Sequence, residues 1–374
     1  MEGVEGETGL PSPPPEEPER VQKSSLALSQ LLFIVGHMAI KQIVHLELCE
    51  LDFKRRKAEK EKTKSANAAP VKSGAVDQDE LDLIGGTTED DFTEAMTHIR
   101  ERELLYGENS LLSNFGPLVT EICSNNTAYQ DEDLQAAATL CMAKLMCVSS
   151  EYCEKNLPLL ITILERSQNA VTRSNVVIAL GDMAVCFNHL IDENTDFLYR
   201  RLSDKDASVK RTCLMTLTFL ILAGQVKVKG QLGEMAKCLE DSDKRIADLS
   251  RMFFTELATK DNAVYNHFID MFSLLSAEKD LEENALKRII KFLSSFIEKV
   301  SISKPEYPFL ARSLTSSQDK HAKQLADKLA ARLARCESER QWNDVAYALS
   351  LLQHKNEEIQ KTVSGGFRLV QVAA

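Results

Sequence analysis

Turn-forming and aromatic residues are scarce in this sequence. Its 374 residues include 15 Gly, 10 Pro and one Trp, and aromatic residues make up only 6%. Five of the ten prolines lie within the first 18 residues, so the rest of the chain has few natural breaks. An all-β fold needs turn formers at roughly every 8–12 residues. The composition therefore argues against a β-sandwich or barrel and favours helices, in which Leu, Ala and Met lose little side-chain entropy.

The chain also lacks an excess of positive charge and any paired-cysteine motif. Its formal net charge of −11 argues against a globally basic nucleic-acid binder, so any DNA contact has to come from local patches. The nine cysteines include no C-x-x-C pair, and most lie in apolar helical runs. This usage predicts buried, reduced thiols in an intracellular protein. Residues 1–23 are acidic and proline-rich, so they do not resemble a secretory signal.

Catalytic and cofactor-binding signatures are missing as well. None of the seven His forms an H-E-x-x-H motif or a His/Cys cluster with metal-ligand spacing. The doublets Gly85-Gly86 and Gly365-Gly366 are not followed by the Lys and Ser/Thr of a phosphate-binding loop. No G-x-S-x-G nucleophile context occurs. The sequence therefore predicts a protein that is not an enzyme and has no catalytic residues, cofactor or metal.

The stretch from Leu26 to Leu48 is strongly apolar but is interrupted by polar residues such as Gln30, His37 and Lys41. It contains no run of about 18 uninterrupted apolar residues, so we predict a packing helix and no membrane span. Composition changes then divide the chain into a disordered tail (1–23), the apolar packing helix (24–53), a charge-segregated disordered linker (54–91), a helical-repeat region (92–363) and an irregular C-terminal tail (364–374).

The linker assignment depends on blocks of like charge. Residues 54–64 carry seven basic side chains, and residues 77–91 carry seven acidic ones and no basic one. Such blocks repel one another and stay solvated. The basic block begins with a candidate nuclear localisation run: Lys54, Arg55, Arg56 and Lys57. A solvated helix end explains the same residues equally well.

From about residue 92 the sequence predicts a series of consecutive helices with an internal repeat. The first apolar anchors of four aligned segments are Leu134, Val171, Val209 and Ile246, at steps of 37, 38 and 37 residues. Each anchor follows a short polar stretch, and the preceding helices end at Leu164, Leu202 and Leu239. Two helices per unit of this length are the signature of HEAT-type arrays.

The repeat predicts an all-α fold, a HEAT-type α-solenoid of stacked antiparallel helix pairs that share a continuous core. The second helix of the third unit, residues 213–223, is apolar nearly all round, which favours a position between layers. Asp204, Asp206, Asp241 and Asp243 lie in the polar turns, where we expect helix caps and links between repeats and not acid–base chemistry.

Local basic residues are the remaining binding candidates. Those near the turn and connector of the third unit form a candidate patch for DNA or a protein partner: Arg200, Arg201, Lys205, Lys210, Arg211, Lys227 and Lys229. Such residues can contact a DNA backbone through counterion release. The alternative interpretation is that they are ordinary solvated side chains. No aromatic residues are interleaved with them, which argues against stacking on single-stranded bases.

The amino-acid sequence of residues 156–261 resembles the HEAT-repeat regulatory subunits of condensin I. The matching segments are NLPLLITILERSQNAVTRSNVVIALGDMAV, DKDASVKRTCLMTLTFLILAG and DSDKRIADLSRMFFTELATKD. The resemblance extends over about 92–360. It implies a non-catalytic scaffold that binds the kleisin and the coiled-coil SMC ATPase subunits in mitotic chromosome condensation. It also implies no small-molecule substrate, and location in the nucleus and on mitotic chromosomes, with cytoplasm in interphase.

Members of that family are much longer than 374 residues, so a fragment or truncated isoform is expected. The repeat period alone fits a second function class as well, a HEAT-repeat nuclear transport or phosphatase scaffold adaptor. Only the amino-acid sequence of residues 157–261 separates these two function classes.

Overall fold

The computed structural model describes residues 17–67, 89–226, 230–260, 262–299, 322–333, 335–336, 338–352 and 357–366. These residues form helices and turns without a strand, and the helices are paired and stacked, which confirms the predicted HEAT-type all-α fold. The contacts divide the chain into two compact units, Met1–Cys186 and Phe187–Ala374. The predicted repeat region therefore belongs to two units, which are described separately.

The first unit contains two stacked helix pairs and an additional long helix. Its helices are α1 (Glu17–Asn67), α2 (Glu89–His98), α3 (Leu104–Tyr106), α4 (Phe115–Ser124), α5 (Glu132–Met146), α6 (Ser150–Arg166) and α7 (Ala170–Cys186). A π-helical turn, Ile99–Glu103, joins α2 to α3, and a 3-10 turn, Leu111–Asn114, precedes α4. The pairs are α4/α5 and α6/α7, and α5 also packs against α7 and against α1.

The second unit continues the same pattern. Its helices are α8 (Asn188–Asp192), α9 (Thr195–Arg200), α10 (Ala207–Leu222), α11 (Leu232–Lys237), α12 (Lys244–Leu257), α13 (Ala263–Ala277), α14 (Glu283–Lys299), α15 (322–333), α16 (Glu339–Leu351) and α17 (Glu357–Gly365). The second helices of neighbouring repeats stack on each other, as α10 does on α12. The first helices of neighbouring repeats also stack, as α11 does on α13. Stacking of like helices between neighbours is how repeat proteins build one core.

A side-chain cap begins the second helix of each of four repeats. Asp131, Asn169, Asp206 and Asp243 each accept hydrogen bonds from backbone N–H groups two or three residues further on. Such a cap satisfies amides that have no partner within the helix. Asp204 and Asp241 accept from the backbone N–H of Asp206 and Asp243 at 3.0 and 2.8 Å. The predicted capping role of the turn aspartates is confirmed.

Three of the four predicted apolar anchors are buried, and the prediction of the fourth, Val171, is wrong. Leu134, Val209 and Ile246 are at most 3% exposed, whereas Val171 is 65% exposed. Each buried anchor lies three residues after its cap, and the residue three after Asn169 is Thr172, which is 6% exposed. The anchor of the second repeat is therefore Thr172, because the cap and not the first apolar residue sets the helical phase.

Helix α1 packs on α5 through one narrow stripe, in which Leu32, Val35 and Ala39 are no more than 5% exposed. Gly36 lies in this stripe, and a Cβ there would come within 3.3 Å of the Cα of Cys141, so glycine permits the close approach. The opposite face carries large apolar side chains that are at least 40% exposed: Leu26, Leu31, Phe33, Ile34, Met38, Val44, Leu48 and Leu51.

The limits of α1 differ from the sequence expectation, which placed disordered segments at 1–23 and 54–91. The helix includes 17–23 and 54–67, and α2 begins at Glu89. Lys54 pairs with Glu50 at 2.8 Å, and Arg56 pairs with Asp52 at 2.7 Å, one helical turn away in each case. Pairs at this spacing support a helix through a charged run. Residues 1–16, 68–88 and 367–374 lie outside the described residues.

Within the described residues, one helical segment, Ser24–Lys60, is long and apolar enough by length and composition to cross a membrane. Its most apolar window has a mean hydropathy of 1.5, and 22% of that window is buried. Core helices of soluble proteins pass the same test, so this is weak support for a span. The packing of α1 on α5 agrees with the packing helix that the sequence predicts, and the absence of a span stays a prediction.

Candidate partner-binding surfaces

A recurring exposed apolar position marks the second helices of the repeats. Nine residues after the caps Asn169, Asp206 and Asp243 stand Ile178, Met215 and Met252, which are 48%, 58% and 65% exposed. In the first repeat, the equivalent Leu140 is half-buried. Most large apolar side chains of these helices point into the core, so a repeated exposed one suggests a contact surface.

In the second unit this position contributes to a defined surface on α10 and α12. Phe219, which is 60% exposed, lies one turn after Met215 on α10, and Met252 lies on the neighbouring α12. We call Met215, Phe219 and Met252 the apolar patch. Asp248 and Arg251 pair at 3.2 Å beside Met252 and are about half exposed. The patch thus has an apolar centre and a charged rim, the usual composition of a protein interface.

The apolar patch was not anticipated from the sequence. The sequence favours a position between layers for the apolar helix 213–223, whereas its Met215 and Phe219 face is open in this chain. Hydrophobicity alone cannot separate a covered face from an open one. The recurrence of Ile178, Met215 and Met252 at a fixed distance from the caps is the signal that could have revealed it.

The candidate basic patch is only partly available for a ligand. Lys210 reaches Asp241 of the next repeat at 2.5 Å, with both side chains less than 20% exposed. Arg201 pairs with Asp204 at 3.6 Å, and both are mostly buried. Lys210 thus forms a link between repeats of the kind that the sequence predicts, whereas Arg201 is paired within its own turn.

The other members of the basic patch differ in their exposure. The Arg200 guanidinium carbon lies 5.2 Å from the ring centroid of Phe197, and the residue is exposed. Lys205 is exposed and Arg211 is half-buried. Lys227 and Lys229 lie outside the described residues. A DNA-binding patch here would therefore depend mainly on Arg200 and Lys205, and it stays a prediction.

The candidate nuclear localisation run lies on the exposed, charged end of α1. Lys54, Arg55 and Arg56 are exposed, and Lys57 is half-buried. Arg55 and Arg56 both pair with Asp52, at 2.7 Å. These contacts fit a solvated helix end, and a targeting role stays a prediction.

A cleft of about 430 Å³ lies in the first unit, beside the turns of its two helix pairs. Asn126, Gln130, Arg166 and Gln168 are among its lining residues. Within the described part of the chain, no group of three or more His, Cys, Asp or Glu side chains could hold a metal ion. The surfaces thus offer side chains for binding a macromolecule.

Comparison with known proteins identifies the family to which these repeats belong. Residues 171–304 match the family model of the non-SMC mitotic condensation complex subunit 1. Condensin complex subunit 1 of Schizosaccharomyces pombe is 54% identical over 359 residues, which are 95% of this chain and 29% of that protein. The Saccharomyces cerevisiae protein is 52% identical over 95% of this chain and 30% of its own length. This chain belongs to the condensin complex subunit 1 family.

The similarity to human condensin complex subunit 1 is lower, 36% over 96% of this chain and 25% of the human protein. The chain therefore spans about 30% of the fungal condensin subunits that it matches. The residues matched by the family model include α10 and α12, so the apolar patch lies within the matched part of the chain. The family resemblance seen in the sequence is confirmed.

Proposed function

We propose that this chain is a non-catalytic scaffold segment of the condensin I regulatory subunit. In this role it binds the kleisin and the SMC ATPase heads during mitotic chromosome condensation, and the partners hydrolyse ATP. It acts in the nucleus and on mitotic chromosomes, and stays in the cytoplasm in interphase. The names of its relatives and its stacked helix pairs support the proposal. The same relatives give no support to the transport or phosphatase adaptor.

The apolar patch is the observation that carries the proposal. Phe219 and Met252 lie on adjacent stacked helices, whose axes are typically about 8–10 Å apart. A peptide extended in the polyproline II conformation advances about 3.1 Å per residue and presents every third side chain to the same side. A segment that crosses α10 and α12 would thus bring apolar side chains about three residues apart onto the two anchors. An extended kleisin segment with such spacing fits this surface.

The test measures binding of the full chain to purified kleisin fragments and to an SMC head in physiological salt. The variant Phe219→Glu/Met252→Glu changes two residues that are at least 60% exposed, so the fold should survive. Leu111→Glu, at a residue 69% exposed in the first unit, is the matched control. We expect at least a tenfold loss of kleisin affinity, about 1.4 kcal/mol, for the double variant alone.

Two outcomes would contradict the proposal. A chain that binds neither the kleisin nor the SMC head has no condensin scaffold role of its own. If both variants bind the kleisin as the unchanged chain does, the apolar patch is not the contact. Tandem purification that returned transport carriers or a phosphatase, without SMC proteins, would favour the adaptor function.

DNA contact through the basic patch is a separate part of the proposal. Arg200 and Lys205 are its exposed described members, so Arg200→Gln/Lys205→Gln should weaken binding to double-stranded DNA. Each lost phosphate contact should also reduce the salt dependence, by about one unit of slope in log K against log salt. Equal slopes for the variant and the unchanged chain would exclude these two residues from the DNA interface.

A further inference from the structure

The cleft of the first unit lies where the turns of two neighbouring helix pairs meet. Side chains from the end of α4, the start of α5, the end of α6 and the start of α7 line it. All four helices belong to one compact unit. The cleft volume of about 430 Å³ is within the range of about 300–1,000 Å³ that is usual for ligand-binding pockets. The cleft can therefore receive a short segment of a peptide.

Gln135 offers this cleft an acceptor whose orientation is fixed. Its side-chain NH₂ group donates to the backbone carbonyls of Ile122 and Tyr129, both at 2.8 Å. These two bonds set which end of the carboxamide carries the oxygen. The Oε1 atom accepts no hydrogen bond within the described part of the chain. Because Gln135 lines the cleft, this oxygen is left for a donor on a bound molecule.

Asn169 offers the complementary donor. Its Oδ1 atom caps α7 by accepting from the backbone N–H groups of Val171 and Thr172, at 2.8 and 3.2 Å. Its Nδ2 amino group has no acceptor among the described residues, and Asn169 also lines the cleft. Capping alone does not require this amino group, because the equivalent caps of the other repeats are aspartates: Asp131, Asp206 and Asp243.

A peptide group matches this pair of side chains, since it carries one N–H donor and one C=O acceptor. An extended segment fits better than a helix, because a helix uses these backbone groups in its own hydrogen bonds. The fold already holds Gln135 and Asn169 in place, so binding costs little side-chain entropy at these two residues. The two carboxamides thus favour an extended backbone as the bound group.

The other lining residues indicate which side chains such a segment carries. Leu159 and Ile163 are half-buried and lie one turn apart on α6, so they suit an apolar side chain. Arg166 at the end of α6 is exposed and has no acidic partner in the described residues, so it can pair with a carboxylate. Glu132 also lines the cleft, and its charge opposes a polyanion such as nucleic acid.

We propose that this cleft is a binding site for an extended peptide segment that carries an acidic and an apolar side chain. A peptide N–H of the segment donates to Oε1 of Gln135, and a peptide C=O accepts from Nδ2 of Asn169. The acidic side chain pairs with Arg166, and the apolar one packs on Leu159 and Ile163. The site lies in the first unit, so it does not depend on the kleisin contact proposed for the apolar patch of the second unit.

The experiment selects ligands from a displayed library of short random peptides. Selection uses the full chain with Phe219→Glu/Met252→Glu, in which the apolar patch is removed, so that captured peptides have to bind elsewhere. Fluorescence anisotropy then measures the tightest selected peptide against the otherwise unchanged chain and its variants. We expect an acidic and an apolar residue to recur together in the selected sequences.

Asn169→Asp is the sharpest variant, because it keeps the cap and replaces the amino group by a second acceptor. It should bind the peptide at least tenfold more weakly, with an unchanged midpoint of urea unfolding. Asn169→Ser also caps and adds no charge, so a similar loss there assigns the effect to the missing donor. The matched control Asp206→Asn makes the reverse exchange at the equivalent cap of the second unit and should leave peptide binding unchanged.

Arg166→Met tests the acidic side chain. The unchanged chain should bind the selected peptide at least fivefold more tightly than a version in which an amide replaces the acid, and Arg166→Met should bind both alike. The proposal is wrong if no peptide is enriched, or if Asn169→Asp and Arg166→Met bind the selected peptide as the unchanged chain does. Displacement of the peptide by a short DNA duplex, lost in Arg166→Met, would assign the cleft to nucleic acid instead.

Discussion

In the first unit, the residue four positions after a helix cap donates to backbone carbonyls, whereas in the second unit Lys210 at this position forms an ion pair. Gln135 donates to the carbonyls of Ile122 and Tyr129, both at 2.8 Å. Arg173 donates to those of Ser167 and Gln168, both at 3.0 Å. In the second unit, the contacts between repeats include Lys210–Asp241 at 2.5 Å, Arg288–Glu240 at 2.6 Å and Lys237–Glu278 at 2.8 Å.

Three of these residues occupy the same repeat position. Gln135, Arg173 and Lys210 each stand four residues after the helix cap. The first two reach back to the preceding turn, so each helix pair holds itself together. Lys210 instead reaches forward to the next repeat. One position thus decides whether a repeat is fastened internally or to its neighbour, and the two kinds of contact should respond differently to salt.

The largest effect is expected from Arg173→Met in the first unit. Arg173 is 3% exposed, and its loss leaves two carbonyls of a buried turn without their donor. A buried hydrogen-bonded charge of this kind should contribute about 2–4 kcal/mol to the free energy of unfolding. Urea unfolding measures the total, and amide exchange should show the loss in the first unit.

Arg166→Met, at an exposed residue of the same helix pair, is the control and should change the free energy of unfolding by no more than about 0.5 kcal/mol. The loss at Arg173 should depend less on salt than the loss at Lys210, because the two carbonyls that Arg173 bonds are neutral partners. A strong salt dependence would contradict the distinction between the two units.

A smaller effect is expected from the ion pair of the second unit. Lys210→Met leaves Asp241, whose side chain is 12% exposed, without its cation, and should cost about 1–2 kcal/mol at low salt. Asp241 still accepts from the Asp243 N–H, so Asp241→Asn keeps part of the turn. A double-mutant cycle isolates the coupling between the two residues. The coupling should fall between 0.05 and 1 M salt, and a coupling unchanged by salt would oppose the comparison.

The sequence was sufficient to locate the helix pairs because apolar anchors and polar turns recur together. The sequence also predicted helices through residues 92–363, which include the pair α13 and α14 and, on α15, the stripe of Leu325, Leu329 and Leu333, which is no more than 2% exposed. It misplaced the anchor at Val171 because the alignment followed hydrophobicity instead of the cap at Asn169. A one-residue error turns a helix by about 100°, which is enough to exchange core for solvent.

The candidate site was less predictable than the fold. Formal charge located the basic patch, but it could not show that Lys210 and Arg201 have acidic partners in space. Apolar composition placed residues 213–223 in a core helix, but exposure of Met215 and Phe219 depends on which neighbours are present. Charge blocks suggested a linker after residue 53, whereas pairs such as Lys54–Glu50 accompany a continuing helix. Contacts formed in the folded chain, either within one helical turn or between neighbouring helices, decide each of these cases.

The helix caps provide a test in which the two units should behave alike. Asn169→Ala in the first unit and Asp206→Ala in the second each remove a side-chain acceptor from two backbone N–H groups. Each should cost about 1 kcal/mol in the free energy of unfolding. Replacement by Ser, which also caps, should restore most of it. A cost confined to one unit would mean that the repeats do not share the same turn chemistry.

The smallest expected effect is the pH dependence of the Lys237–Glu278 contact. The hydrogen bond from Lys237 and the charge of Lys237 lower the pKa of Glu278. The ionised Glu278 therefore stabilises the fold above its unfolded pKa of about 4.5, and this stabilisation is lost as the pH falls through the lower folded pKa. Burial lowers the pKa of Lys237, but the carboxylates of Glu234 and Glu278 outweigh burial and raise this pKa. The stabilisation from the charged Lys237 is therefore fully present below a pH of about 10.4 and is lost at higher pH.

Solvent screens this contact, since the Glu278 side chain is 33% exposed, and it should contribute less than about 1 kcal/mol. Glu278→Gln should therefore differ from the unchanged chain at pH 7 and approach it as the pH falls through the lowered pKa of Glu278, as measured by urea unfolding. The matched variant Gln168→Glu adds a carboxylate in the first unit, where the turn is held by donors to carbonyls. A difference at Glu278 that does not shrink as the pH falls would mean that packing, and not charge, links α11 to α13.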